Sequence, residues 1–142
     1  MSKHPVRILT AKEAARVEKL RKICLSFPEA NERPSHGAPC WFAGKGKSFA
    51  NLDDHHHGAE HLSVWLPQPP GVQEDLIAVD PARYLRPPYV GHRGWVAVVL
   101  DEKTDWKSLE RLVREAYLHV ATAKLRKLLL GEGAPPKKAS PR

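Results

Sequence analysis

The run Trp95-Val96-Ala97-Val98-Val99-Leu100 is uninterrupted apolar sequence with three β-branched residues. It is far too short to cross a membrane as a helix and too apolar for an exposed strand, so it must lie within a sheet and be covered on at least one face. Directly upstream, Arg86-Pro87-Pro88-Tyr89-Val90-Gly91-His92-Arg93-Gly94 concentrates proline, glycine, aromatic and basic residues. This composition makes a turn that delivers the chain into the strand and is the first place to look for a binding surface.

The rest of a 142-residue chain must supply partners for that strand. A chain of this length suits one core that buries about two-thirds of the unfolded surface. Thr10 followed by Glu13 forms a capping box, and Ala14, Val17, Leu20, Cys24 and Phe27 recur at helical spacing, so a first helix runs from there to the Phe27-Pro28 stop. Residues 40–43 and 47–52 flank Gly44-Lys45-Gly46 and read as a hairpin with a basic tip. His61 to Leu66 alternates as a third strand, broken by Pro67-Gln68-Pro69-Pro70-Gly71.

A short helix follows over 72–78, with Leu76 and Ile77 as contacts and Asp80-Pro81 as its stop. After the Trp95–Leu100 strand, Asp105 caps a long helix whose apolar positions Leu109, Leu112, Val113, Ala116, Val120 and Leu128 form one face. The order α-β-β-β-α-β-α predicts an α+β, two-layer domain: an antiparallel sheet with helices packed on one face. The expected organisation is an N-terminal arm over 1–9, one domain over 10–130 and a basic, disordered tail over 131–142.

The net charge of +7 is unevenly placed. Residues 1–26 carry seven Lys and Arg against two acids, residues 27–104 seven against ten, and residues 105–130 six against three. Basic charge thus gathers on the terminal helices and the tail. Such a field attracts nucleic acid or an acidic partner, although a solvated helix face gives the same count. Cys24 and Cys40 stand apart from any metal-ligand spacing and read as reduced thiols. With no apolar signal core after Met1 and no membrane-length apolar segment, the expected location is cytoplasmic.

Enzyme signatures are weak. Asp53-Asp54-His55-His56-His57-Gly58-Ala59-Glu60-His61 is dense in metal-ligand types, and its last five residues match H-x-x-E-H. That motif needs a helix to bring its histidines onto one face, whereas this stretch contains Gly58 and lies between two strands. A polar loop with solvated carboxylates is the expected reading, with a metal-dependent hydrolase through His55–His61 as the remote alternative. Gly44-Lys45-Gly46-Lys47-Ser48-Phe49 lacks the last glycine of a dinucleotide fingerprint and precedes no helix. No P-loop or nucleophile elbow is present, so neither catalytic residues nor a cofactor are expected.

The chemistry that remains is recognition. Lys45 and Lys47 at the hairpin tip, with Arg86, Tyr89, His92 and Arg93 in the turn, offer cations for phosphates and an aromatic ring for unpaired bases. The competing reading is that Pro87-Pro88-Tyr89 fixes a turn and packs its ring. Trp95 reads as core. A third reading is a small-ligand pocket between the segment holding His36 and Trp41 and the Tyr89 turn. The expected partner is DNA or, with the same turn and the sheet face, a protein in an adaptor or chaperone-like role. No membrane partner is expected, and oligomeric state stays open.

Three segments together resemble the MmcQ/YjbR family of small bacterial proteins over roughly residues 12–130: Leu20-Arg21-Lys22-Ile23-Cys24-Leu25-Ser26-Phe27-Pro28, His36-Gly37-Ala38-Pro39-Cys40-Trp41-Phe42, and Pro87-Pro88-Tyr89 through Gly94-Trp95-Val96. A closing amphipathic helix with Tyr117 completes the likeness. The resemblance implies a winged two-layer fold akin to secretion-chaperone-like domains and a DNA-binding role. Many relatives carry Asn-Lys-x-His-Trp where this chain has Gly91-His92-Arg93-Gly94-Trp95, so His92 and Gly94 depart from the family pattern.

Overall fold

The structure, a computed structural model, describes residues 9–54 and 61–131. In chain order these form α1 (Ala11–Leu25), β1 (Ala30–Ser35), β2 (Ala38–Ala43), β3 (Ser48–Asp54), β4 (Leu62–Leu66), α2 (Val72–Val79), β5 (Tyr84–Leu85), β6 (Val96–Val99), α3 (Trp106–Val120) and α4 (Ala123–Leu130). A single turn of 3-10 helix, Gly91–Arg93, precedes β6. The six strands make one antiparallel sheet in the order β1-β2-β3-β4-β6-β5. The α+β expectation is met, and β6 is interior and buried at all four positions.

Local chemistry sets the boundaries. Thr10 accepts from the Glu13 amide at 3.1 Å while Glu13 accepts from the Thr10 amide at 2.9 Å, closing the capping box. Asp105 caps α3 through the amides of Lys107 and Ser108, both at 3.1 Å. The long C-terminal helix read from the sequence is instead two helices. Ala121 is extended, with φ −68° and ψ 150°, and the Thr122 hydroxyl accepts from the Leu125 amide, starting α4. A threonine that caps competes with helix continuation, and here the cap prevails.

Two strands are also added, β1 and the two-residue β5. Residues 30–35 carry Glu32, Arg33 and Pro34, poor strand formers, yet they pair along their full length with β2. As an edge strand, β1 tolerates the proline and benefits from the charges. The β1–β2 turn is His36-Gly37, both with positive φ (53° and 83°), as a two-residue hairpin of this hand requires.

The register sorts the sheet into two faces. One row, Glu32-Trp41-Ala50, and another, Leu52-Val64-Val98-Tyr84, face the helices. Leu20 and Cys24 of α1, and Leu109, Val113, Ala116 and Tyr117 of α3, close the core over them. Phe27, Phe49 and Tyr117 pack as a trio, with Phe27 stacked on Tyr117 at 5.1 Å and Phe49 edge-on to both. The opposite row is Arg33-Cys40-Asn51-Trp65-Ala97. It floors the site described next.

The expected arm over 1–9 is described only from Leu9, the tail only at Gly131, and the histidine loop only at its two ends. His55, His56, His57, Gly58 and Glu60 lie outside the described residues, whereas His61 is exposed at the start of β4. Asp53, which the sequence suggested as a solvated loop carboxylate, instead sits in β3 and is buried. Among the described residues no helix is long and apolar enough to cross a membrane.

Candidate functional site on the open face of the sheet

The segment from Arg86 to Trp95 crosses the sheet face that the long helices leave open. Pro87 and Gly91 are buried and anchor it, while Arg86, Pro88, Tyr89, His92 and Arg93 are exposed. Tight turns fold it: the Val90 amide donates to the Pro88 carbonyl at 2.7 Å, Arg93 to Val90 at 3.0 Å and Gly94 to Gly91 at 3.0 Å. Two residues take left-handed backbone, Tyr89 at φ 68° and Gly94 at φ 88°. Glycine adopts that conformation freely. Tyr89 adopts it at a cost of about 1–2 kcal/mol and leaves its ring 69% exposed.

What holds this strained turn is α2. Gln73, buried in its first turn, donates from Nε2 to the carbonyls of Gly91 and Trp95. Arg86 folds back over the same point: a Cβ built on Gly91 would lie 2.6 Å from Arg86 Cγ, and Arg86 Nη1 is 3.4 Å from Gln73 Oε1. Arg86 therefore packs against the turn while remaining exposed.

Two adjoining concavities lie beneath the segment and share Asn51 and Val90. The first, about 420 Å³, is bounded by His36, Ala38, Asp53, Trp65 and Tyr89. Its size falls in the range of small-ligand sites. The second, about 490 Å³, brings together Lys47, Pro67, Arg93, Trp95 and His119. Lys47 and Arg93 are thus two exposed cations around one hollow, with the Arg93 guanidinium 6.0 Å from the Trp95 ring. Two of the non-glycine, positive-φ residues, His36 and Tyr89, line the first hollow.

Beneath both, Cys40 Sγ donates to Asn51 Oδ1 at 2.9 Å. That contact occupies the oxygen of the Asn51 amide, and Asn51 lines both hollows. Burial pushes the Cys40 thiol up to about 11 and raises Cys24 further, so both stay protonated and neither provides a nucleophile at neutral pH.

The structure separates the residues that the sequence grouped. Tyr89 and His36 share one hollow, and Lys47 and Arg93 the other. Lys45 lines neither hollow and belongs to a separate recess with Glu29, Asn31 and Arg33 at the β1 edge. Trp41, expected at a pocket, is instead fully buried on the helix face, its indole nitrogen donating to Glu32 Oε1 at 2.9 Å, and it is not among the residues that line either hollow. Register explains this, because Trp41 is one residue from Cys40 and strand neighbours face opposite sides. Trp95 is buried as expected, with one edge on the second hollow.

Asn51, Trp65, Gln73 and His119 were not recognised from sequence. The alternation Asn51/Leu52 and Trp65/Leu66 already placed the first two opposite the core. Only strand pairing, with Asn51 beside Trp65, makes them neighbours. Gln73 lies 18 residues from Gly91 and His119 far from both, so no local pattern marks them.

The site and fold define a class, a small α+β protein whose open sheet face carries a two-part groove under a strained aromatic turn. The YjbR family model matches residues 25–119, and the chain belongs to the YjbR family. The fold is shared with a crystal structure of a Deinococcus radiodurans protein carrying a DUF419 domain, at 24% identity and a TM-score of 0.64 over 89% of this chain and 95% of that one. No curated protein matches the chain.

Proposed function

We propose that this protein is a non-enzymatic module that binds DNA or another nucleic acid through the open face of its sheet. The observation that supports it most is the pairing of Lys47 and Arg93 around one hollow beside the exposed Tyr89 ring. Lys and Arg meet phosphates, aromatic rings meet unpaired bases, and a net charge of +7 favours a polyanion. His92 lies exposed on the same turn and adds a contact at its rim. No cofactor and no catalytic group enter this reading.

The test is binding of a labelled oligonucleotide as a function of salt. Affinity should fall steeply with salt, and Lys47→Ala and Arg93→Ala should each shallow the log–log slope by up to about 0.9 for a duplex. Lys45→Ala should change the slope less, since Lys45 lies in a different recess. Undetectable or salt-independent binding overturns the proposal.

The apolar lining of the first hollow, with Ala38, Pro39 and Val90, supports a second reading, a protein-interaction adaptor using the same turn. A partner that survives nuclease treatment and is lost on Tyr89→Ala would favour it.

A further inference from the structure

We infer that the hollow beneath Tyr89 receives one unpaired base of a single-stranded nucleic acid, while Lys47 and Arg93 hold the neighbouring phosphate. This rests on the nucleic-acid reading above and gives it a substrate class. Three observations carry it. The hollow is partly walled by aromatic rings, Tyr89 from the turn and Trp65 from the sheet, and a planar heteroaromatic ring fits such a site by stacking. Its lining is not purely apolar: Asn51 contributes a side-chain amide whose oxygen accepts from Cys40, and an amide also carries two N–H donors of the kind that pair with a ring carbonyl or nitrogen on a base edge.

Charge is the third observation. The cationic hollow of Lys47 and Arg93 opens directly beside the base hollow, sharing Asn51 and Val90 as their common wall. A nucleotide has this same layout, a flat polar ring joined to an anionic group. A paired base inside a duplex cannot enter, because its faces are stacked and its edge is occupied. The arrangement therefore selects unpaired strands, with the backbone strain at Tyr89 maintained to keep the ring over the hollow.

The discriminating variant is Tyr89→Gly, which removes the ring while keeping a residue at home at φ 68°. The full chain is titrated with a single-stranded oligonucleotide and with its matched duplex. Wild type should prefer the single strand. Tyr89→Gly should lower single-strand affinity about tenfold, so that the preference for the single strand over the duplex is lost, and Tyr89→Trp should retain that preference. Lys47→Ala with Arg93→Ala should weaken both substrates.

If Tyr89→Gly leaves the preference for single strands intact while the cation variants still weaken binding, the base site is wrong and the nucleic-acid reading survives. If wild type binds neither substrate, both fall together. A Tyr89-dependent protein partner in the absence of any oligonucleotide binding also overturns the base site, in favour of an adaptor.

Discussion

Gln73 and Gly91 are joined by a buried hydrogen bond of 2.8 Å from the Gln73 amide nitrogen to the Gly91 carbonyl, and the same nitrogen reaches the Trp95 carbonyl at 2.5 Å. One side chain thus fastens both ends of the turn that carries His92 and Arg93. Replacing it removes a buried donor from both carbonyls and leaves the Gly91 carbonyl to the Gly94 amide. Gln73→Ala should lower stability by about 1–3 kcal/mol in urea denaturation. Amide exchange should quicken over residues 89–95, and unchanged exchange there would show that the turn is held elsewhere.

The turn also predicts an opposed effect on stability and binding. Tyr89 holds left-handed backbone at φ 68°, which glycine adopts without steric conflict. Tyr89→Gly should keep the midpoint of thermal unfolding within a few degrees of wild type while weakening ligand binding. A loss of more than about 1 kcal/mol would mean that the exposed ring is chiefly a packing element.

Beneath the sheet, Tyr117 donates its hydroxyl to the Pro28 carbonyl at 2.7 Å, tying α3 to the end of α1 across 89 residues of sequence. Tyr117→Phe removes only that bond and should cost about 0.5–1.5 kcal/mol. Tyr117→Ala also empties the space against Phe27 and Phe49 and should cost about 3–5 kcal/mol. Equal losses for the two variants would contradict the packing described for this trio.

Glu32 gives a pH dependence. Its carboxylate accepts from Arg21 Nε at 2.7 Å and from Trp41 Nε1 at 2.9 Å, and the Arg21 contact, above all, lowers its pKa below the ordinary 4.5. In the unfolded chain the group takes up its proton near 4.5, in the folded protein only at lower pH. The contribution is therefore fully present above the unfolded value and is lost as pH falls through the depressed folded one. Glu32→Gln should cost about 1 kcal/mol at neutral pH and flatten that acid limb in denaturation curves collected from pH 6 downward. A mutant that retains the wild-type acid slope would remove Glu32 as its source.

Both thiols are buried, and burial holds Cys40 near 11 and Cys24 higher still. A thiolate reagent at pH 8 should label the native protein far more slowly than the unfolded one. Rapid native labelling of Cys40 would show that the face above it opens on that timescale.

Much of the scaffold was legible in the chain. The Thr10/Glu13 box, the Asp105 cap, the glycine-rich hairpin and the Val96–Val99 strand are local signals, and each survives because short-range hydrogen bonding and burial demand the same structure. The family likeness was legible for a related reason, since the same segments that start and stop elements also carry its pattern. Where tertiary contacts outweighed propensity, the reading from sequence departed. Edge strand β1 forms from charged residues and a proline because β2 offers it a full ladder, and the C-terminal helix breaks where Thr122 caps a new one.

The site divides along the same line. Sequence alone determined which residue types were available for recognition: the cations of the hairpin and turn, and the aromatic Tyr89. Tertiary structure decided which of them act together. Pairing of strands placed Asn51 beside Trp65 and turned Trp41 into the core, Gln73 pinned the turn over that face, and the result joined Lys47 to Arg93 while leaving Lys45 apart. Composition and periodicity are properties of neighbours along the chain. A groove is made by residues tens of positions apart, and only the register of a folded sheet fixes which of them meet.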